Sequence, residues 1–140
     1  MRDGISNINP KPVIAPQVAT DNTALVGAII DGAGYESVTY MIQTGTLADA
    51  DATFVVLLED GDESDLSDNA AVADAYLIGT EALAGFAFSD DGECRKLGYK
   101  GLKRYTRLTV TPANNTGNAP VSAMCVLGHP LSGPQANPPA

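Results

Sequence analysis

The sequence has few of the side chains that enzymes and metal sites use most. It contains no tryptophan, one histidine (His129) and two cysteines, Cys94 and Cys125. A structural zinc site needs about four nitrogen or sulfur ligands, and these side chains supply at most three. His129 stands between a glycine and a proline, a setting that would hold a catalytic base poorly. We therefore expect neither an enzyme nor a bound metal or cofactor.

Long apolar runs are also missing. The longest, residues 54–58, has five residues, whereas a membrane span needs about 18. The first seven residues lack the apolar stretch of a signal peptide. These absences predict a soluble chain that is made in the cytoplasm and has no membrane partner. In a reducing compartment the two cysteines are expected to be free thiols that behave as small buried hydrophobes.

The two signs of charge are segregated along most of the chain. Residues 1–11 carry two bases and one acid, residues 12–93 carry sixteen acids and no base, and residues 94–140 carry six bases and no acid, which gives a net charge of −9. A chain of this sign would be repelled by DNA and by anionic membranes, so a generic polyanion-binding role is excluded. The two charge blocks must either meet within the domain or face different partners.

The prolines divide the chain into a body and two ends. Seven of nine lie near the termini: Pro10, Pro12, Pro16, Pro130, Pro134, Pro138 and Pro139. Proline removes a backbone donor and is disfavoured in helices and central strands. We therefore predict an extended N-terminal arm at residues 1–20, a globular domain at 21–127 and a Pro-rich tail at 128–140.

Within the body the dominant hydrophobic period is two. In residues 35–44, Val38, Tyr40 and Ile42 share one face, as expected for a half-buried antiparallel strand. The same alternation occurs at residues 96–100 and 104–111, and further strand candidates are residues 25–30, 54–59, 86–89 and 121–127. Turn sequences separate them, so we predict an all-β fold, an antiparallel β-sandwich or jelly roll of seven to eight short strands. Short helices are predicted at residues 69–75, capped by Asp68, and more weakly at 46–50.

Residues 54–58 do not alternate and are apolar on both faces. They fit a strand at the centre of the sandwich, covered on its second face by a loop. They also fit a strand whose outer face docks on another subunit. The pattern does not separate the two interpretations.

The acidic loop at residues 59–68 is the obvious metal candidate. Asp60, Asp62 and Ser64 match the first, third and fifth ligand positions of a calcium-binding EF-hand loop. The match then fails, because Asp65 replaces the required glycine and Ala71 replaces the bidentate glutamate. A solvated hairpin loop explains the run of acids better, with weak calcium binding as the alternative.

The basic residues are grouped and interleaved with Tyr99 and Tyr105. The group consists of Arg95, Lys96, Lys100, Lys103, Arg104 and Arg107. Alternation predicts a basic stripe on two neighbouring strands. Its possible partners are, in order, the chain's own acidic loops, an acidic face of another protein and nucleic acid, which the overall charge makes unlikely.

Six stretches resemble a family of small tailed-bacteriophage proteins whose genes lie beside the major capsid gene. They are residues 35–38 (YESV), 45–54 (GTLADADATF), 77–81 (LIGTE), 95–99 (RKLGY), 103–112 (KRYTRLTVTP) and 126–130 (VLGHP). The resemblance covers residues 21–130. It implies a virion structural protein, a head decoration (cement) protein that binds the outer surface of the assembled capsid, and it implies no catalytic residues.

On this hypothesis the partners are the major capsid protein and further copies of the chain, with trimers favoured by the capsid three-fold axes. The docking residues are predicted in the N-terminal arm and the basic stripe: Ile8, Pro10, Pro12, Val13, Ile14, Pro16, Lys96, Lys100, Lys103, Arg104 and Arg107. The alternatives are a carbohydrate- or surface-binding sandwich of the virion, and a head–tail connector or tail component.

Overall fold

In the computed structural model, which describes residues 2–139, the chain forms two antiparallel β-sheets that pack face to face. The first has five strands, in spatial order β1 (Ile8–Ala19), β11 (Ala119–Pro130), β4 (Tyr35–Thr44), β9 (Cys94–Tyr99) and β7 (Leu77–Ile78). The second has six: β2 (Leu25–Val26), β10 (Tyr105–Ala113), β5 (Thr53–Gly61) and β6 (Ala70–Ala71), with β3 (Ile30–Asp31) also on β10 and β8 (Phe86–Ala87) also on β5.

This architecture confirms the predicted all-β antiparallel sandwich. The described residues contain eleven strands rather than seven or eight, because five of them are only two residues long. The predicted segment at residues 25–30 is divided into β2 and β3, which pair with different parts of β10.

The core lies between the sheets and follows the alternation seen in the sequence. Tyr40 and Ile42 of β4 face Leu58 of β5 and Leu108 and Val110 of β10, and all five side chains are at most 1% exposed. Burial of this kind contributes about 25 cal/mol for each Å² of apolar surface removed from water. The period-two pattern therefore identified the inner face of the long strands correctly.

The predicted N-terminal arm is largely a strand of the sandwich. Residues 8–19 form β1, which pairs with β11 beginning at Ile8 opposite Gly128. The expectation of an arm that stands apart from the domain is wrong for this segment. Pro10 and Pro12 are tolerated because β1 is the outermost strand, where a proline nitrogen can face away from its one neighbour.

The predicted C-terminal tail also begins later than expected, because β11 continues to residue 130. Beyond it, the N–H of Leu131 donates to the carbonyl of Gly34 at 2.9 Å. The hydroxyl of Tyr35 donates to Oε1 of Gln135 at 2.6 Å. These bonds hold the described part of the tail against the first sheet.

Helix is a minor part of the fold, as predicted, but the helices lie at positions that were not predicted. The one α-helix of the described residues is α1 (Glu81–Ala84), capped by Thr80, whose hydroxyl accepts a bond from the N–H of Leu83 at 3.1 Å. The helices predicted at residues 69–75 and 46–50 are absent from the structure. Two 3-10 turns occur instead, at Ile5–Asn7 and Asp74–Tyr76. No helix within residues 2–139 has the length and hydropathy needed to cross a membrane.

The doubly apolar segment at residues 54–58 lies in β5, between β10 and the short strands β6 and β8. Phe54, Val56 and Leu58 are buried against the other sheet, and Phe54 stacks on Phe86 with ring centroids 4.6 Å apart. On the outer face, Val55 is 62% exposed. The strand is therefore central, but no loop of the described chain covers Val55.

Candidate functional site

Three of the predicted docking cations are paired with the chain's own acids. The guanidinium of Arg104 holds Asp31 through two bonds, Nε to Oδ1 at 2.8 Å and Nη2 to Oδ2 at 2.7 Å. These bonds hold the pKa of Asp31 below its ordinary value. Arg107 pairs with Glu59 at 2.9 Å, and both side chains are largely buried. The charge blocks therefore meet within the domain, which confirms the first-ranked partner for these residues.

The third pair ties the loop between β9 and β10 to the acidic loop. Lys103 pairs with Asp62, an interaction that raises the pKa of Lys103. Beside it, the Tyr99 hydroxyl donates to Oδ2 of Asp60 at 2.7 Å and accepts the backbone N–H of Lys103 at 3.0 Å. Burial is the main cause that raises the pKa of Tyr99, so this phenol stays neutral and donates. These residues hold the two loops together.

The predicted two-stranded basic stripe is wrong. β9, which carries Lys96, belongs to the five-stranded sheet, and β10, which carries Arg107, belongs to the other. The outward side chains of these strands therefore lie on opposite faces of the sandwich. Lys96 and Lys100 are exposed, and within residues 2–139 neither forms an ion pair.

The acidic loop is organised by its own backbone. The Asp68 carboxylate accepts the N–H groups of Asp62 at 2.7 Å and Glu63 at 3.2 Å, and the first of these contributes most to lowering the pKa of Asp68. Asp65 accepts the N–H of Ser67 at 2.9 Å. Across residues 2–139 no three His, Cys, Asp or Glu side chains converge as metal ligands would. The arrangement is that of a hydrogen-bonded loop and does not favour the calcium alternative.

The one histidine has a single polar side-chain contact. Nδ1 of His129 lies 3.1 Å from the Ser37 hydroxyl on the exposed surface of the five-stranded sheet. In the described part of the chain no carboxylate bonds to the other side of the ring, so the third member of a catalytic triad is not in place.

The predicted docking residues of β1 divide into two sets. Ile8, Pro10, Pro12 and Pro16 are exposed on the outermost strand, whereas Val13 and Ile14 are 6% and 4% exposed. The pairing register with β11 shifts between Pro12 and Ile14, as in a β-bulge. Val13 and Ile14 are therefore core residues, and they are not accessible to a partner.

The exposed prolines continue into a larger apolar surface. A row of four side chains crosses four strands in direct register: Pro12 opposite Met124, Met124 opposite Met41, and Met41 opposite Lys96. Met41 is 41% exposed and Met124 is 48% exposed. We call the outward residues around this row the methionine face: Pro10, Pro12, Thr39, Met41, Gln43, Cys94, Lys96, Ser122, Met124 and Val126.

The methionine face contains a shallow apolar groove of about 610 Å³ between β1 and β9. Among residues 2–139, no aspartate or glutamate lines this groove, although the chain carries seventeen. Its two charged lining residues are Lys96 and Arg95, and Arg95 pairs with Asp90 and Glu93 at 2.8 and 3.0 Å. Lys96 is thus the unneutralised charge of the groove.

The sequence interpretation missed Met41, Met124 and Cys94 as surface residues. Met41 could have indicated this surface, because it shares the outward face of its strand with the polar residues Thr39 and Gln43. The cysteines were both expected to be buried, but only Cys125 is, and its burial raises its pKa to about 12. Cys94 is exposed on the methionine face, so that prediction was wrong for this residue.

Comparisons with known proteins give structural likenesses only. No protein-family model matches the chain, and no curated protein matches its sequence. The resemblance to phage decoration proteins therefore has no support from sequence comparisons. The SPBc2 prophage-derived protein YomS is 13% identical, with 89% of this chain and 99% of that chain covered and a TM-score of 0.48.

Two further solved structures are similar to the chain. The capsid of Ralstonia phage GP4 is 11% identical over 92% of this chain and 89% of that chain, with a TM-score of 0.44. The C-terminal family 22 carbohydrate-binding module of Clostridium thermocellum Xyn10B is 10% identical over 89% and 88%, with a TM-score of 0.40. At these identities and scores, no likeness assigns a function to this chain.

Proposed function

We propose that this chain is a virion structural protein that binds the outer surface of an assembled phage capsid and stabilises it. On this proposal its partner is the major capsid protein, it acts by adhesion rather than catalysis, and it resides on the capsid surface. The sequence stretches that resemble phage decoration proteins support this function, and so does one feature of the surface.

That feature is the methionine face. Soluble proteins seldom expose contiguous apolar surface without a binding role, and here three strands present it in one row that ends at Lys96 on a fourth strand. A chain of net charge −9 repels acidic surfaces as a whole, but among residues 2–139 no carboxylate lines the groove of this face. The face is therefore the part of the molecule best suited to lie against another protein.

The test uses the purified chain and undecorated heads, which are heads of the encoding phage that lack this chain. After mixing at micromolar concentration, the chain is expected to co-sediment with the heads and to raise the temperature at which they open. Heads that already carry their full complement serve as the control, because their sites are occupied. A chain that stays in the supernatant with undecorated heads would contradict the proposal.

A carbohydrate-binding function has less support from the surface. Sugar-binding modules stack sugars on exposed aromatic rings, and none of the residues that line the groove is aromatic. The more exposed rings, Tyr76 and Phe88, are 45% and 42% exposed and belong to other segments. Binding to a glycan array would favour this alternative.

A head–tail connector or tail component would differ in symmetry. The mass of the purified chain in solution separates the two proposals, because monomers to trimers fit decoration and rings of six or more copies fit a connector. A copy number near that of the major capsid protein in purified virions would favour decoration in the same way.

A further inference from the structure

We infer that the methionine face is the surface that lies on the capsid protein, and that it accepts an apolar patch carrying a carboxylate that pairs with Lys96. The inference rests on the proposed function and adds the docking face and the chemistry of the partner.

The apolar part of the match comes from Met41 and Met124. They are direct cross-strand neighbours in the centre of the sheet, with Pro12 on one side and Lys96 on the other. Methionine side chains are unbranched and adapt their shape to an opposing surface. They therefore suit a partner whose apolar side chains fill the shallow groove.

The charged part of the match comes from Lys96. Its ammonium forms no ion pair within residues 2–139, and no carboxylate lines the groove beside it. The carboxylates nearest to the groove, Asp90 and Glu93, are already paired with Arg95, so a second copy docked through the same face would bring no unpaired carboxylate from its groove to Lys96. A different protein with an acidic side chain would satisfy it, so charge complementarity favours a capsid surface over self-association at this face.

The edge of the sheet beside the groove is poorly suited to an added strand. β1 is the outer strand on this side, and Pro10, Pro12 and Pro16 leave it without three of its backbone donors. An added strand needs a continuous row of donors and acceptors, which prolines interrupt. On this side of the molecule the face of the sheet is therefore better suited to a partner than its edge.

The opposite face of the sandwich differs in the way its charges are arranged. It also exposes apolar side chains, with Val26 and Val55 at 60% and 62%. Its central charged residues, Arg107 and Glu59, pair with each other across β10 and β5. That face requires no charged partner, and it supplies the matched control.

The experiment compares single aspartates on the two faces in the co-sedimentation assay with undecorated heads. Met41→Asp and Met124→Asp are made separately, because two aspartates at neighbouring positions would repel. Each is expected to weaken binding more than about tenfold, since the carboxylate is desolvated in an apolar contact. Val55→Asp, at a strand position of the other sheet that is 62% exposed, is expected to bind like the natural chain. All three exposed substitutions are checked for an unchanged thermal midpoint.

The partner's carboxylate is tested at Lys96. Lys96→Glu is expected to weaken binding more than Lys96→Gln at low salt, and the difference is expected to shrink in high salt as charges are screened. Equal loss from both variants at low salt would overturn the ion pair.

Cys94 provides a readout that needs no substitution. It lines the groove and is exposed, whereas Cys125 is buried. Binding to heads is expected to slow alkylation of Cys94 by a small maleimide by more than about tenfold, because a closely packed interface excludes the reagent. Unchanged alkylation of the bound chain would overturn the assignment of the face.

The outcomes separate the two proposals. If the natural chain does not co-sediment, the proposed function fails. If it does, but Val55→Asp releases it while the methionine variants bind, the docking face is the other sheet and this inference fails. If Met41→Asp instead dissolves an oligomer of the free chain, the occupant is a second copy and the inference also fails.

Discussion

The hydroxyl of Tyr40 lies 2.6 Å from Oγ1 of Thr106, and this bond joins the two sheets at the centre of the core. Tyr40 belongs to β4 of the first sheet and Thr106 to β10 of the second, and their side chains are 0% and 2% exposed. Burial is the main cause that raises the pKa of Tyr40 far above its ordinary value, so the phenol is neutral at physiological pH. Each hydroxyl satisfies the other in a region that water does not reach.

Removing one partner of this bond is expected to destabilise the fold more than removing both. Tyr40→Phe leaves the Thr106 hydroxyl buried without a partner, which costs about 1–3 kcal/mol. In the double variant with Thr106→Val the loss is expected to be smaller than that of Tyr40→Phe alone, and therefore smaller than the sum of the single losses. Urea unfolding of the four proteins gives the coupling energy, and Thr111→Val, an exposed position of the same strand, serves as the control. Strict additivity would contradict the bond.

Gly27 is expected to tolerate no side chain. A Cβ at this position would collide with the carbonyl oxygen of Leu108 and lie 2.6 Å from Cγ1 of Val13, where β1 approaches the second sheet. Gly27→Ala should lower the free energy of unfolding by at least about 1 kcal/mol, because overpacking of this kind typically costs about 1–3 kcal/mol. Gly4→Ala, where a Cβ meets nothing within 4 Å, is the matched control. Equal stability of the two variants would refute the close contact.

The acidic loop gives a pH-dependent prediction. The N–H of Asp62 lowers the pKa of Asp68 below its ordinary value of 3.8, so the folded state favours the charged carboxylate. Its contribution is therefore complete above about pH 4 and is lost as pH falls through the lowered pKa. The stability difference between the natural chain and Asp68→Asn should shrink from neutral pH toward about pH 2. A difference in the free energy of unfolding between the two proteins that stays constant over this pH range would contradict the prediction.

The cysteines are expected to differ in reactivity. Cys94 is exposed and should react with a disulfide reagent in the folded protein, whereas burial raises the pKa of Cys125 to about 12 and shields it. Thiol titration should therefore find one reactive group per chain in buffer and two in denaturant. Cys94→Ser should abolish the fast reaction, and a fast reaction that survives this change would show that Cys125 is accessible.

The long strands could be predicted because their signal is local. Val38, Tyr40 and Ile42 alternate with polar residues, and this pattern identifies a half-buried strand wherever it occurs in the chain. Thr80 could also have indicated the helix start at Glu81, since threonine is a favoured N-cap residue. The alanines at residues 70–75 instead led to the helix prediction, which is wrong because Ala70 and Ala71 pair with β5.

The prolines near the N-terminus explain why β1 was not predicted as a strand of the sandwich. Pro10, Pro12 and Pro16 exclude a central strand, but they do not exclude an outermost strand that needs hydrogen bonds on one side only. The partner of this strand, β11, lies more than a hundred residues away in the sequence, and no local pattern announces the pairing. The burial of Val13 and Ile14 depends on it.

Patterns within the sequence were enough to establish the all-β class, the inner faces of the long strands, the scarcity of catalytic side chains and the division of charge. All of these are properties of single residues or short segments. Which strands share a sheet depends on contacts between distant segments. The resulting arrangement of strands separated Lys96 from Arg107, paired Arg107 with Glu59, and brought Met41 beside Met124. Such contacts form because the apolar faces of both sheets are buried only when distant strands pair in one specific order. The free energy of that pairing depends on residues from several segments, so no single segment predicts it.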